Sequence, residues 1–225
     1  METFDEIDDI YIYVDKENIS KEKCEMIINK FNNDERKYKG TTFEGVTEYK
    51  KTNELIITGL EDWKEIDHYL YDNLNKALKE YSNRVIKNKS GEVNLGSGTM
   101  KIGCHNDNMI DFGYQVQHYK ANIGHYHWHT DSTDNINNLI TSNQYRIITF
   151  IWYLCDVEIG GETEFLNGKI KPEAGKLLLF PATWTYLHRG KMPISNDKYI
   201  VCGWTGFKLF HHVNDIFQHV NNKNI

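Results

Sequence analysis

Hydrophobic residues in this chain follow two different spacings, and the change from one to the other divides it. Between Ser20 and Asn32, Cys24, Ile27, Ile28 and Phe31 recur at helical intervals behind Ser20, whose hydroxyl suits an N-cap. A longer stripe of Trp63, Ile66, Leu70, Leu74, Ala77, Leu78 and Tyr81 predicts an amphipathic helix over Asp62 to Tyr81. Both stripes read as core-packing faces rather than as cofactor contacts. Ile10 to Val14, β-branched and aromatic throughout, reads as a strand. Asn83 to Asn108 is polar and carries Gly91, Gly96, Gly98 and Gly103, which predicts a loop.

From Tyr114 the spacing shortens to runs of β-branched and aromatic residues broken by turn residues. The predicted strands are Tyr114–Tyr119, His125–Asp131, Tyr145–Cys155, Glu162–Phe165, Lys176–Phe180, Trp184–His188 and Lys198–Phe207. Pro172, Pro181 and Pro193 all fall between these runs, where a missing backbone donor costs least. The Asn-rich stretch Asp134 to Asn143 reads as a surface loop, and Phe210 to Val220 as a short helix. The pattern is a mainly β protein with flanking α-helices, a sandwich or barrel.

At 225 residues the chain suits one domain with a substantial core. Residues 1–112 read as a helical and strand support region and 113–208 as the β core. The formal charge of -6, with lysines scattered, excludes a general phosphate-backbone binder and makes nucleic acid an unexpected partner. No stretch reaches the ~18 apolar residues of a membrane span, and the acidic start lacks the features of a signal peptide. A cytoplasmic or otherwise intracellular protein is the expectation. Cys24, Cys104, Cys155 and Cys202 form no C-x-x-C pair, so a zinc ribbon or thioredoxin-like site has no support, and reduced, buried thiols are expected.

The densest chemistry lies in His125-Tyr126-His127-Trp128-His129-Thr130-Asp131. In a regular strand His125, His127, His129 and Asp131 project from one face, where an imidazole and a carboxylate two residues apart can converge on one ion. Such a pair needs a third ligand from elsewhere, and His188, at the end of a predicted strand, is the candidate. Two histidines and one carboxylate suit open-sided ferrous iron, whereas zinc is more often served by a closed set or by three histidines. Spacing alone leaves His127 and His129 as alternatives within the cluster.

Lys198 follows His188 by ten residues and begins a strand. An inward-facing ammonium beside a metal needs an anionic partner, which a dicarboxylic cosubstrate would supply.

These residues resemble the 2-oxoglutarate and iron(II) dioxygenases of the prolyl 4-hydroxylase alpha-subunit type, over roughly Tyr114 to Phe207. His129-Thr130-Asp131 is similar to the family's H-x-D, and Gly160-Gly161-Glu162-Thr163-Glu164-Phe165 to its G-G-E-T-x-F turn. Lys171 to Phe180 looks like its P-x-x-G-x-x-L-x-F run. The resemblance implies a double-stranded β-helix, a cupin-like jelly roll. It also implies iron(II) on His129, Asp131 and His188, with 2-oxoglutarate and O2 as cosubstrates and ascorbate as an accompanying reductant. Lys198 would meet the far carboxylate of 2-oxoglutarate, with Tyr119 and Thr149 on the cosubstrate side and Tyr126 and Trp204 lining the reaction pocket. The sequence departs from the family between Tyr119 and Gly124, which four residues separate, so the turn there is altered. The implied reaction is hydroxylation of a C–H bond, first of all in a peptidyl proline, with conversion of 2-oxoglutarate to succinate and carbon dioxide. A free amino acid, another side chain or a small metabolite as substrate, and a cupin-like isomerase or hydrolase, are the alternatives.

Overall fold

The computed structural model describes residues 7–42, 45, 48–88, 110–132 and 144–208. Helix α1 (Lys21–Asn33) begins where its cap predicts, for the Ser20 hydroxyl accepts from the Lys23 N–H and satisfies one donor of the first turn. Its buried residues are Cys24, Ile27 and Phe31. A 3-10 turn, Glu61–Trp63, leads into α2 (Lys64–Asn88), whose stripe of Ile66, Leu70, Leu74, Leu78 and Tyr81 is buried. Each such side chain contributes about 1.5–3 kcal/mol relative to exposure. α2 overruns Asn83, where the sequence predicted a loop, because no glycine or proline interrupts it before Gly91. The rest of that expected loop, like 134–143 and the expected helix at 210–220, lies outside the described residues.

Among the described residues the strands form two antiparallel sheets. The larger is built from β1 (Tyr13–Asp15), β2 (Tyr38–Lys39), β4 (Asn53–Ile56), β5 (Ile110–Asp111), β6 (Gln115–Tyr119), β8 (Gln144–Tyr153), β11 (Leu177–Pro181) and β13 (Lys198–Lys208). Its order is β1-β11-β8-β13-β6-β4-β2, with β5 also on β13. The smaller holds β3 (Lys50–Lys51), β7 (His125–His129), β9 (Thr163–Phe165), β10 (Gly168–Ile170) and β12 (His188–Gly190), in the order β10-β9-β12-β7-β3. The chain passes repeatedly between the sheets, as in a jelly roll, the double-stranded β-helix.

The larger sheet is buried on both faces, and strict alternation decides what each residue meets. Phe150, Trp152, Leu177, Leu179 and Val201 join the core under α1 and α2. Ile151, Tyr153, Leu178, Phe180, Ile200 and Cys202 join a second core between the sheets. The candidate site opens into that second layer.

Two of the expected strands need correction. Trp184–His188 is not a strand. Pro181 ends β11, the Tyr186 N–H closes a turn onto the Thr183 carbonyl, and pairing resumes only at His188. The chain must turn a corner between sheets there, and Trp184 is left 70% exposed. The strand expected at Ile10–Val14 begins only at Tyr13. Strands β2 to β5 and β10 were not legible, since they are two to four residues long and rich in Lys, Asn and Glu. β3 and β4 are separated by Thr52 alone yet lie in different sheets, so this segment ties the layers together and belongs to the β scaffold despite its N-terminal position.

Candidate metal centre and cosubstrate pocket

A correction to the expected alternation of β7 creates the site. His188 pairs with His129 while Gly190 pairs with Tyr126, so two residues of β7, His127 and Trp128, oppose Arg189 alone. This β-bulge breaks the period-2 alternation. It turns Tyr126 and His129 to the same inner face, where both line one cavity, and leaves His127 and Trp128 exposed. His125 and His127 therefore do not share the site: His125 bonds the carbonyls of Ile123 and Glu48, and His127 packs edge-on against Tyr49.

His129, Asp131 and His188 offer ligand atoms that all lie within 4.8 Å of one another. The Nε2 atoms of His129 and His188 stand 3.9 and 3.6 Å from the two oxygens of Asp131. Each ring is fixed from behind. Nδ1 of His129 meets the His127 carbonyl at 2.7 Å, and Nδ1 of His188 meets the Tyr186 carbonyl at 2.9 Å. Those bonds set the tautomer with Nε2 unprotonated, which is the form a metal requires. Thr149 donates its hydroxyl to Asp131 at 2.7 Å and orients the carboxylate. Thr149 thus contacts the metal-side acid while lining the pocket.

Electrostatics also favour a cation. Burial, together with the neighbouring His188 ring, pushes the His129 imidazole well below its ordinary range, so it stays neutral. Burial opposes ionisation of Asp131, but His188, His129, Arg146 and the Thr149 hydroxyl outweigh it and keep the carboxyl below the usual range. An unprotonated His129 imidazole and an ionised Asp131 carboxylate, clustered with His188 on one side of a cavity, fit an open-sided ferrous ion.

The cavity measures about 400 Å³, within the range of small-molecule sites. Lys198 lies in its wall, 1% exposed, and donates to the Gly161 carbonyl at 3.0 Å. Gly160 and Gly161 have φ values of +78° and +77°, a turn that side chains other than glycine rarely adopt. Burial lowers the Lys198 ammonium to about 8. Tyr119, its register partner across β6 and β13, places its ring centroid 4.1 Å from the ammonium. The Tyr119 hydroxyl donates to Gln117 at 2.8 Å.

Sequence reasoning missed Arg146 and Lys50, which line the same cavity. The Arg146 guanidinium lies 3.5 Å from the Trp204 ring centroid, and Lys50 stands 4.9 Å from that of Tyr126. No motif flagged either residue. Their sheet pairings, which bring them to the pocket, were the only signal.

A family model described as the 2OG-Fe(II) oxygenase superfamily matches residues 114–206. Those residues belong to that superfamily. The oxygenase segment spans β6 to β13 and contains all three ligand candidates and Lys198, which makes the protein an enzyme of the non-haem iron, 2-oxoglutarate-dependent class. A search of curated proteins finds no match. Among solved structures, the oxygenase is similar to the viral collagen prolyl hydroxylase of Paramecium Bursaria Chlorella virus-1 (20% identity, TM-score 0.54, covering 87% of this chain and 95% of that one). It is also similar to a Trichoplax adhaerens prolyl hydroxylase in complex with a hypoxia inducible factor peptide fragment (17% identity, TM-score 0.62, 88% and 84% covered). A third is a Pseudomonas putida prolyl-4-hydroxylase (13% identity, TM-score 0.58, 88% and 93% covered). At these identities the likeness establishes the jelly-roll fold. Among the described residues, no helix is long and apolar enough to cross a membrane.

Proposed function

We propose that the protein hydroxylates a prolyl residue in a peptide or protein, with iron held by His129, Asp131 and His188 and 2-oxoglutarate held by Lys198. The observation that carries the site assignment is the convergence of three ligand atoms within 4.8 Å in the same cavity as a buried lysine. When bound, iron and 2-oxoglutarate supply the oxidative chemistry, in which decarboxylation to succinate and carbon dioxide is coupled to hydroxylation of a substrate C–H bond.

The chain's own residues prepare that chemistry. The two imidazoles of His129 and His188 and the Asp131 carboxylate would hold the ion. Lys198 offers a charge-assisted partner to the far carboxylate of the cosubstrate, at little entropic cost because its stem is packed. Ile151 and Ile200 flank it and exclude water. Trp204, on the same strand, supplies a flat apolar surface suited to a pyrrolidine ring, and Arg146 packs over it. The Trp204 indole N–H is buried without a hydrogen-bond partner among the described residues. The prolyl substrates and peptide named for the structural relatives support the same reading.

The test is succinate formation from 2-oxoglutarate under air with added iron(II). His129→Ala should abolish turnover, and Lys198→Ala should mainly raise the 2-oxoglutarate KM. Unchanged kinetics in either variant removes that assignment. Mass spectrometry of proline-containing peptides against free proline then decides the substrate, and a gain of one oxygen in free proline alone rules out the peptide reading.

A further inference from the structure

Glu54, on β4, is 2% exposed and carries its carboxylate inside the protein. One oxygen receives the Lys50 ammonium at 2.6 Å and the Thr52 hydroxyl at 2.7 Å, and the other receives the Gln115 amide at 3.0 Å. Lys50 is itself only 8% exposed. A buried ion pair of this kind is weak evidence for stability, since a well-packed apolar pair of similar volume is often as stable or more so. Lys50 lines the cavity and Glu54 lies behind it, a placement that calls for another explanation.

Two arms leave Glu54. Along the first, Lys50 faces the Tyr126 ring, and that ring stacks on His129 with centroids 3.5 Å apart and planes 16° from parallel. The second follows one face of β6. Gln117 donates to the Gln115 side-chain carbonyl at 2.7 Å, and the Tyr119 hydroxyl donates to that of Gln117 at 2.8 Å. The direction of this chain is imposed from its start. A carboxylate only accepts, so Gln115 must present its amide N–H to Glu54, which turns its carbonyl to Gln117 and, in turn, the Gln117 carbonyl to Tyr119. The phenol of Tyr119, a residue of the cavity lining, is thereby committed as a donor to Gln117, and its oxygen keeps lone pairs free to accept. Its ring lies against Lys198.

We propose that Glu54 is a positioning residue that sets both ends of the pocket at once. Through Lys50 it holds Tyr126 flat on the metal-side imidazole. Through Gln115 and Gln117 it fixes Tyr119 as an acceptor beside Lys198, so that the lysine carries cosubstrate recognition. The proposal rests on the metal and 2-oxoglutarate assignment above.

The test separates the arms. Gln117→Leu cuts the second arm without changing any charge, and the double variant Lys50→Met/Glu54→Leu removes the hub while replacing a buried pair by apolar residues. Iron(II) affinity is titrated under argon. Affinity for 2-oxoglutarate is read from the visible charge-transfer absorption of its ferrous chelate, and thermal midpoints report folding. Gln117→Leu should weaken 2-oxoglutarate by about tenfold and leave iron affinity alone, and the double variant should weaken both by about tenfold or more, the scale of other residues that orient metal ligands. The double variant should keep a parent-like thermal midpoint. Parent-like affinities in a folded double variant, or unchanged or tighter 2-oxoglutarate binding in Gln117→Leu, overturn the proposal, and the second criterion stands even if the double variant does not fold. A parent that takes up neither ligand refutes the site assignment and the hub with it, whereas a binding parent with parent-like variants refutes the hub alone.

Discussion

The imidazole of His129 lies flat against the phenol ring of Tyr126, although the two residues are three positions apart in one strand and would face opposite sides of a regular one. The β7 bulge makes the contact possible, and the contact holds the imidazole plane in the orientation that directs Nε2 at Asp131 and His188. Tyr126→Phe should therefore bind iron(II) like the parent, because the ring is kept. Tyr126→Leu should lose about tenfold in metal affinity, a difference that anaerobic titration would resolve.

Thr149→Val removes the hydroxyl that donates to Asp131 while leaving the shape of the wall nearly unchanged. The carboxylate loses one buried donor and its fixed orientation. Iron affinity should fall by about 10- to 100-fold. The thermal midpoint of the metal-free protein should drop by about 3–12 °C, since a lost hydrogen bond to a charged group costs about 1.5–3 kcal/mol. A variant that binds iron as tightly as the parent would show that Thr149 does not orient the ligand.

Lys198 makes binding pH-dependent. Burial lowers its ammonium to about 8, so below that pH the free protein presents a cation and above it a neutral amine. Affinity for 2-oxoglutarate should be level on the acidic side and fall as pH rises past about 8. Folding stability of the ligand-free protein runs the other way. An unfolded lysine holds its proton to about 10.5, so between the two values the unfolded state binds more protons and stability increases with pH. Lys198→Met should abolish that increase, raise ligand-free stability near neutral pH by about 1 to 3 kcal/mol, and remove stabilisation by 2-oxoglutarate. Denaturant titrations at several pH values check all three.

Much of the fold was readable because long, strongly periodic segments dominate it. The stripes of α1 and α2 and the runs that became β6, β8, β11 and β13 report burial directly. His129, Asp131, His188 and Lys198 stand out in the sequence because their residue types and order carry chemistry, and the fold brings them to one cavity. What escaped was whatever depends on register. Alternation placed His127 beside His129, and only the pairing of one β12 residue with two of β7 reverses that. Lys50, Glu54 and Arg146 look like ordinary surface charges in the sequence, and only strand pairing buries the first two and brings the half-buried Arg146 to the pocket. The aromatic run at Trp184 imitates a strand but has no partner to pair with until His188.

The turn after β6 shows a further cost of register. Asn122 takes a φ of +61°, and the Gly124 N–H returns to the Lys120 carbonyl at 2.7 Å. A β-carbon at Gly124 would sit 2.6 Å from both the Lys120 nitrogen and the Tyr119 α-carbon. Gly124→Ala must push backbone apart at the point where Tyr119 leaves for the pocket. Overpacking of this kind should cost about 1–3 kcal/mol, with weaker 2-oxoglutarate binding alongside, both visible in thermal and ligand titrations.

Because the larger sheet is covered on both faces, adjacent residues of β13 answer to separate demands: Val201 keeps the helices attached, while Ile200 and Cys202 shape what the cavity admits. Remodelling the cavity through the even-numbered positions from Lys198 to Cys202 can therefore proceed without loosening the helical layer, which gives the scaffold room to change its clientele while keeping its frame.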